Sequence, residues 1–251
     1  MIWFLLVLLG APRPAPAPVG IARIVVELPD PDHANLTLVA RGAVPPLVPL
    51  VSQRLTLASV TIPLDGPPDL AVEGEGFQAR IHLTLARLPE KLLELDPSSV
   101  PVRYEALDAK GKAVLVAESR LDLGDPAVLQ VPVKRAYELF ARLDRVNWQV
   151  TSQGLELAAL LSFYNPLSFP ITVRGLHYRL LAGDSLLVED NHPGFRLKPK
   201  TRSDLLLQPT VPFSLLGAAA SSILNSQQKP RLEGSIVIVT PAGDRSLPLG
   251  F

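Results

Sequence analysis

"FYNPLSFP", Phe163 to Pro170, lies inside a longer apolar stretch and decides how its surroundings fold. Upstream, "LELAALLSF" places Leu155, Leu157, Ala159, Leu161 and Phe163 on one face at a spacing of two. Downstream, an alternating apolar pattern resumes at Ile171. Such alternation marks strands with one buried face. Between the runs, Asn165 can bond its own backbone and mimic a turn. Pro166 and Pro170 fix φ and offer no N–H to a ladder. The stretch therefore reads as a strand-ending device between two strands. On this reading, Asn165→Ala costs about 1 kcal/mol, the size of one local hydrogen bond.

The same rhythm extends outward. "NLTLVA" alternates at Leu36, Leu38 and Ala40, and "QRLTLASVTI" at Leu55, Leu57 and Ser59. "FQARIHLTLA" aligns Phe77, Ala79, Ile81, Leu83 and Leu85. "GSIVIVT" (Gly234–Thr240) is apolar on both faces, as a central strand is. "DAKGK" (Asp108–Lys112) and "PAGD" (Pro241–Asp244) are hairpin turns. Three segments read as short helices. They are "LPEKLLELD" with Leu88, Leu92 and Leu95, "VKRAYELFARLD" with Ala136, Leu139, Phe140 and Leu143, and "SLLGAAASSILNS".

Composition agrees with an all-β chain. The 251 residues are 47% apolar, enough for genuine cores, and the 26 prolines suit short strands better than long helices. Lys plus Arg and Asp plus Glu are 24 each, so no global field gathers nucleic acid or anionic lipid. Cysteine is absent, which excludes disulfides, thiol catalysis and zinc–thiolate sites. Ile2–Leu9 is an apolar run too short to span a bilayer. It matches the core of a secretory signal, with Gly10, Ala11, Ala15 and Ala17 as small residues near a cleavage region. The competing reading is an N-terminal strand followed by the extended spacer "PRPAPAPVG". The expectation is an exported chain, periplasmic or extracellular, with no membrane-spanning segment once mature. Without a signal it would be cytoplasmic.

Placed in order, the elements repeat. Ile21–Leu57 and Leu143–Leu180 each give a strand, a turn, an alternating strand, a Pro-containing break and another strand. Leu88–Val116 and Val211–Leu249 each give a short helix and then a hairpin. This predicts two tandem β-sandwich domains of roughly 110 residues and about seven strands each. Residues 1–20 form the signal and spacer, 21–138 the first domain and 139–251 the second.

The second half resembles the type-2 late embryogenesis abundant family, whose module is also called the water stress and hypersensitive response domain. The shared pattern is an alternating strand, an Asn-Pro break, a following Pro, a strand ending in Y-x-L and a late G-x-I-x-V strand. Asn165, Pro166, Pro170, Tyr178 and Leu180 match it, as do Gly234, Ile236 and Ile238. The first half carries "VPPLVP" (Val44–Pro49) at the corresponding break, without the Asn, and reads as a divergent copy. The resemblance implies immunoglobulin-like or fibronectin-like sandwiches, no enzymatic activity, and a role in stress or desiccation tolerance.

Chemical candidates are few. "VEDNHPGF" gathers Glu189, Asp190, Asn191 and His192, and "LPDPDHANLT" holds Asp30, Asp32 and His33. Each falls short of the ligand set a metal requires, and they read as a solvated loop and a polar hairpin turn. Asn35-Leu36-Thr37 is formally a glycosylation sequon. His82 and His177 fall opposite the buried faces of their strands, and no nucleophile, phosphate-loop or metalloprotease motif is present. "LLGAAASSIL" reads as a helix capping one end of a sandwich. No catalytic, metal or cofactor-binding residue is assigned. The leading expectation is a non-enzymatic protein acting on protein clients or envelope components through its surface. The alternative is an envelope module that holds an apolar or lipid-like ligand between its sheets.

Overall fold

Where apolar residues recur every second position, the chain forms strands, and the computed structural model is all-β. It describes residues 19–42, 49–182, 185–216 and 231–250. The "VPPLVP" break, the "GAAASSILNS" segment and the N-terminal signal reading fall, wholly or almost wholly, outside these. Residue contacts divide the chain into two units. One comprises the described residues up to Val25, Leu36–His82 and Pro97–Gln130. The other comprises Val26–Asn35, Leu83–Asp96 and the chain from Val131 onward. The expected boundary at 138/139 falls inside a helix, α1 (Val133–Phe140).

The first half contributes β1 (Gly20–Glu27), β2 (His33–Arg41), β3 (Ser52–Leu57), β4 (Val60–Ile62), β5 (Asp65–Glu73), β6 (Gly76–Thr84), β7 (Val100–Leu107), β8 (Ala113–Leu121) and β9 (Leu129–Gln130). They form a five-stranded sheet, β5-β6-β2-β1-β9, and a four-stranded sheet, β4-β3-β7-β8. The first described residues touch both sheets. Val19 N–H donates to Val116 O at 3.1 Å and its carbonyl accepts from Glu118 N–H at 2.8 Å, beside β8. A few residues on, Ile24 pairs in parallel with Leu129 of β9. The alternating residues Phe77, Ala79 and Ile81 of β6 are fully buried, with Leu55 of β3 and Tyr104 of β7 similarly enclosed. At the β7–β8 turn, Asp108 Oδ1 accepts the N–H groups of Lys110 and Lys112, and Gly111 supplies a φ of 73°.

The second half contributes β10 (Ala141–Val150), β11 (Gly154–Asn165), β12 (Ile171–Ala182), β13 (Ser185–Leu197), β14 (Thr201–Leu207), β15 (Thr210–Pro212), β16 (Arg231–Thr240) and β17 (Gly243–Gly250). β10-β11-β14, with β15 also on β11, makes one antiparallel sheet; β13-β12-β16-β17 makes the other. The inward residues Leu155, Leu157, Ala159, Leu161 and Phe163 of β11 share one core with Val173, Leu176 and Leu180 of β12 and Leu232 and Ile236 of β16. Phe163 meets Phe195 of β13 with ring centroids 5.6 Å apart. This is a β-sandwich, as the alternation predicts. β16 lies between β12 and β17, and both of its faces are at least half-buried along "GSIVIVT".

Several local expectations change. "LPEKLLELD" forms one short 3₁₀ turn, Glu90–Glu94, preceded by another at Leu85–Arg87 and followed by a third at Pro97–Ser99. Prolines 89 and 97 leave too few residues between them for an α-helix to propagate. α1 stops at Phe140, and Leu143 lies in β10, so the helical stripe breaks after three members. "QRLTLASVTI" is two strands: Leu57 pairs with Val60 across a turn in which Ala58 takes a φ of 53°. "VEDNHPGF" is the body of β13, because Tyr178 to Gly175 of β12 pair with Asp190 to Pro193 there. A polar composition suits this strand because its outward face meets solvent. The strand count also exceeds seven in each half.

Candidate functional site

Asn165 ends β11 and is fully buried. Its carboxamide does more than close a turn. Oδ1 accepts from Leu167 N–H at 3.1 Å; Nδ2 donates to Phe169 O at 2.9 Å and to Leu197 O at 3.3 Å. The last bond crosses to the end of β13. Lys200 N–H then donates to Leu167 O at 3.2 Å, joining the turn to the β13–β14 connection. Pro166 is buried beside it, and Pro170 immediately precedes β12.

The other residues of the resemblance lie further along β12. Tyr178 faces Gly234 of β16 in register. A Cβ on Gly234 would stand 2.1 Å from the His177 carbonyl oxygen, so only glycine fits that approach. Tyr178 is buried, and its hydroxyl donates to Asp190 Oδ2 at 3.4 Å. Burial, then the Asp190 charge, pushes the phenol up to about 12. Asn165, Pro166, Pro170, Tyr178 and Gly234 thus occupy a turn and a strand-pairing position along β12 and do not converge on one cleft.

Two polar clusters escape sequence reasoning. In the first, Asp32, which belongs to the second unit, accepts from Tyr164 Oη at 2.8 Å and from Lys200 Nζ at 3.0 Å. The Tyr164 hydroxyl, then Lys200, holds the Asp32 carboxyl below its usual range, and the same bond raises the Tyr164 phenol. The Arg202 guanidinium lies 5.8 Å from the Tyr164 ring centroid. Asp30 instead closes the β1–β2 connection, accepting Asp32 and His33 N–H groups at 2.8 and 3.0 Å.

In the second cluster, Ser162 is 1% exposed and sits between two carboxylates. Its Oγ contacts Asp204 Oδ1 at 2.7 Å and also Asp144 Oδ2. Asp144 is the extra residue of a bulge in β10, which turns its carboxylate over Ser162. One hydroxyl proton serves one carboxylate at a time. The Ser162 hydroxyl first, then Arg142, holds Asp144 below the usual carboxylate range. With so little exposure, the hydroxyl ties three strands together and is closed to a substrate.

The remaining candidates are surface groups. His177 Nε2 lies 3.2 Å from Glu189 Oε1, and its Nδ1 lies 3.1 Å from Asn191 Oδ1, on the outer face of β12–β13. His82 is exposed on β6. Among the described residues, no three His, Cys, Asp or Glu side chains are grouped to hold a metal, and no helix is long and apolar enough to cross a membrane. Open grooves lie among the described residues. One of about 510 Å³ runs over β10, β11 and β15, and one of about 810 Å³ lies beside β2 and β6, with Arg23, Arg41, Glu73 and Glu75 on its walls. Neither is an enclosed apolar cavity.

No family model matches the chain. No curated protein matches it. Among solved structures, a protein from Archaeoglobus fulgidus is 22% identical with a TM-score of 0.35, covering 44% of this chain and 93% of that one. A protein from Arabidopsis thaliana, solved in solution, is 21% identical with a TM-score of 0.38, covering 45% of this chain and 77% of that one. A DUF4785 family protein from Legionella pneumophila is 11% identical with a TM-score of 0.34, covering 89% of this chain and 56% of that one.

The three bonds of Asn165 revise the cost of its loss. Asn165→Ala leaves an N–H and two carbonyls short of a partner in a buried turn. It should destabilise by about 3 kcal/mol rather than one bond's worth. The midpoint of urea unfolding measures this. Tyr178 gives a pH test. Its folded pKa, about 12, lies above the ordinary value of 10. Its contribution is therefore complete below pH 10 and is lost as pH rises through about 12. Tyr178→Phe should lose less stability than the parent between these values in an alkaline unfolding series.

Proposed function

We propose that the chain is a non-enzymatic stress protein of the water stress and hypersensitive response type, acting through the surfaces of folded β-sandwiches. The observation that supports this reading is the position of the residues that carry the resemblance. Asn165, Pro166, Pro170, Tyr178 and Gly234 each serve a turn or a strand pairing. A pattern made of such residues marks a scaffold, and a scaffold acts through what its outer faces touch.

The physical mechanism is shielding. Water loss concentrates proteins and opens labile ones, whose apolar surface then self-associates. A folded domain that stays intact can occupy that surface transiently. Its exposed apolar side chains, among them Val150, Leu186, Leu206 and Leu247, lie on four different strands. Single exposed apolar groups of this kind favour weak contacts over a permanent interface.

A labile enzyme dried and rehydrated with this protein should recover more activity than with an equal mass of an inert globular protein. Equal recovery in both samples contradicts the proposal.

A further inference from the structure

We propose that the trough across β10, β11 and β15 is a binding site for a neutral, polyhydroxylated ligand, a saccharide. The inference is independent of the stress reading. The trough is open to solvent, has a volume of about 510 Å³ and is lined by Asn147, Gln149, Glu156, Gln208 and Thr210, with Ala158 small enough to leave room. That volume falls within the range of ligand pockets, roughly 300–1,000 Å³.

Strand register builds the lining on rigid elements. Gln149 of β10 faces Glu156 of β11, which faces Thr210 of β15, so three polar side chains form one row across three strands. Asn147 faces Ala158 one step along the same face. Gln149 Nε2 donates to Glu156 Oε2 at 2.7 Å, which fixes that pair. Asn147, Gln208 and Thr210 make no side-chain hydrogen bond among the described residues. Trp148 pairs with Leu157 and packs on the core side of the sheet, so its main chain borders the trough while its indole lies behind it.

The chemistry selects the ligand class. Three carboxamides and a hydroxyl offer donors and acceptors together without charge. Saccharide hydroxyls also donate and accept, so the two sets match. A phosphate or sulfate ligand needs Arg or Lys, and none lines the trough. A hard cation needs several carboxylates, and the lining supplies one. A hydrocarbon would bury the amides unpaired.

The chain has two tryptophans, Trp3 and Trp148. The full chain carrying Trp3→Phe therefore keeps one tryptophan, Trp148, directly behind the trough on the core side of β10. It is titrated with sucrose, maltohexaose, cellohexaose and mannohexaose while emission is followed. Calorimetry in parallel reads binding whatever the indole senses. The proposal expects saturable binding of at least one of these sugars. It also expects a loss of about tenfold or more in affinity in a Gln149→Ala, Gln208→Ala double variant whose melting midpoint is unchanged. If that double variant fails to fold, Thr210→Val provides the same comparison. No saturation by any of the four up to ~50 mM, or equal affinity in a folded variant, overturns the proposal.

Discussion

The carboxamide of Asn165 closes three backbone groups where water does not reach. A buried N–H or carbonyl without a partner costs about 1–3 kcal/mol, so a chain that leaves the sandwich edge and returns must satisfy each one. Asn is suited to this because it donates and accepts from one short, uncharged side chain. Pro166 and Pro170 reduce the demand by removing two N–H groups from the same turn. The bond to Leu197 then fixes the end of β13 against the end of β11, which belong to opposite sheets. Leu161, Phe163, Val173 and Leu176, from strands on either side of the turn, share one core.

On the solvent side, polarity takes over from burial. β11 presents Ser162 and Tyr164 outward, and each draws carboxylates from other strands or connections: Asp144 and Asp204 to Ser162, Asp32 to Tyr164. These contacts tie strands laterally without adding apolar surface. Further along the same strand, Glu156 and Ala158 lie under the trough. The strand whose inner face builds the core thus lays out, on its outer face, both a structural lattice and a candidate ligand surface. The motif residues position β12 and β16 behind it. This division of labour is why the stress-protein reading and the saccharide reading can each stand or fall alone.

Much of this was legible in the sequence, and the limits have physical causes. Period-two patterns identified β2, β6 and β11 because one-sided burial imposes that spacing. Asn165-Pro166 was readable as a turn from the local chemistry of Asn and Pro. That the same amide also reaches Leu197 was not, since sequence carries no distance between residues that far apart. The Asp32–Tyr164–Lys200 contact escaped for the same reason. "VEDNHPGF" looked like a loop because a strand with a solvated face keeps few apolar residues. The bulge that aims Asp144 at Ser162 has no composition signal. The trough did leave one: Asn147 and Gln149 alternate with Val146 and Trp148 in β10, a polar face whose residues are mostly uncharged.

Native-state hydrogen exchange tests the central claim most directly, because it reads the Asn165 turn without altering it. The Leu167 N–H, held by Asn165 Oδ1, and the Lys200 N–H, held by Leu167 O, should exchange only through global opening, at the rate of the slowest amides of β11. Exchange of these two amides through local fluctuation, at the rate of exposed turns such as Lys110–Lys112, would contradict it.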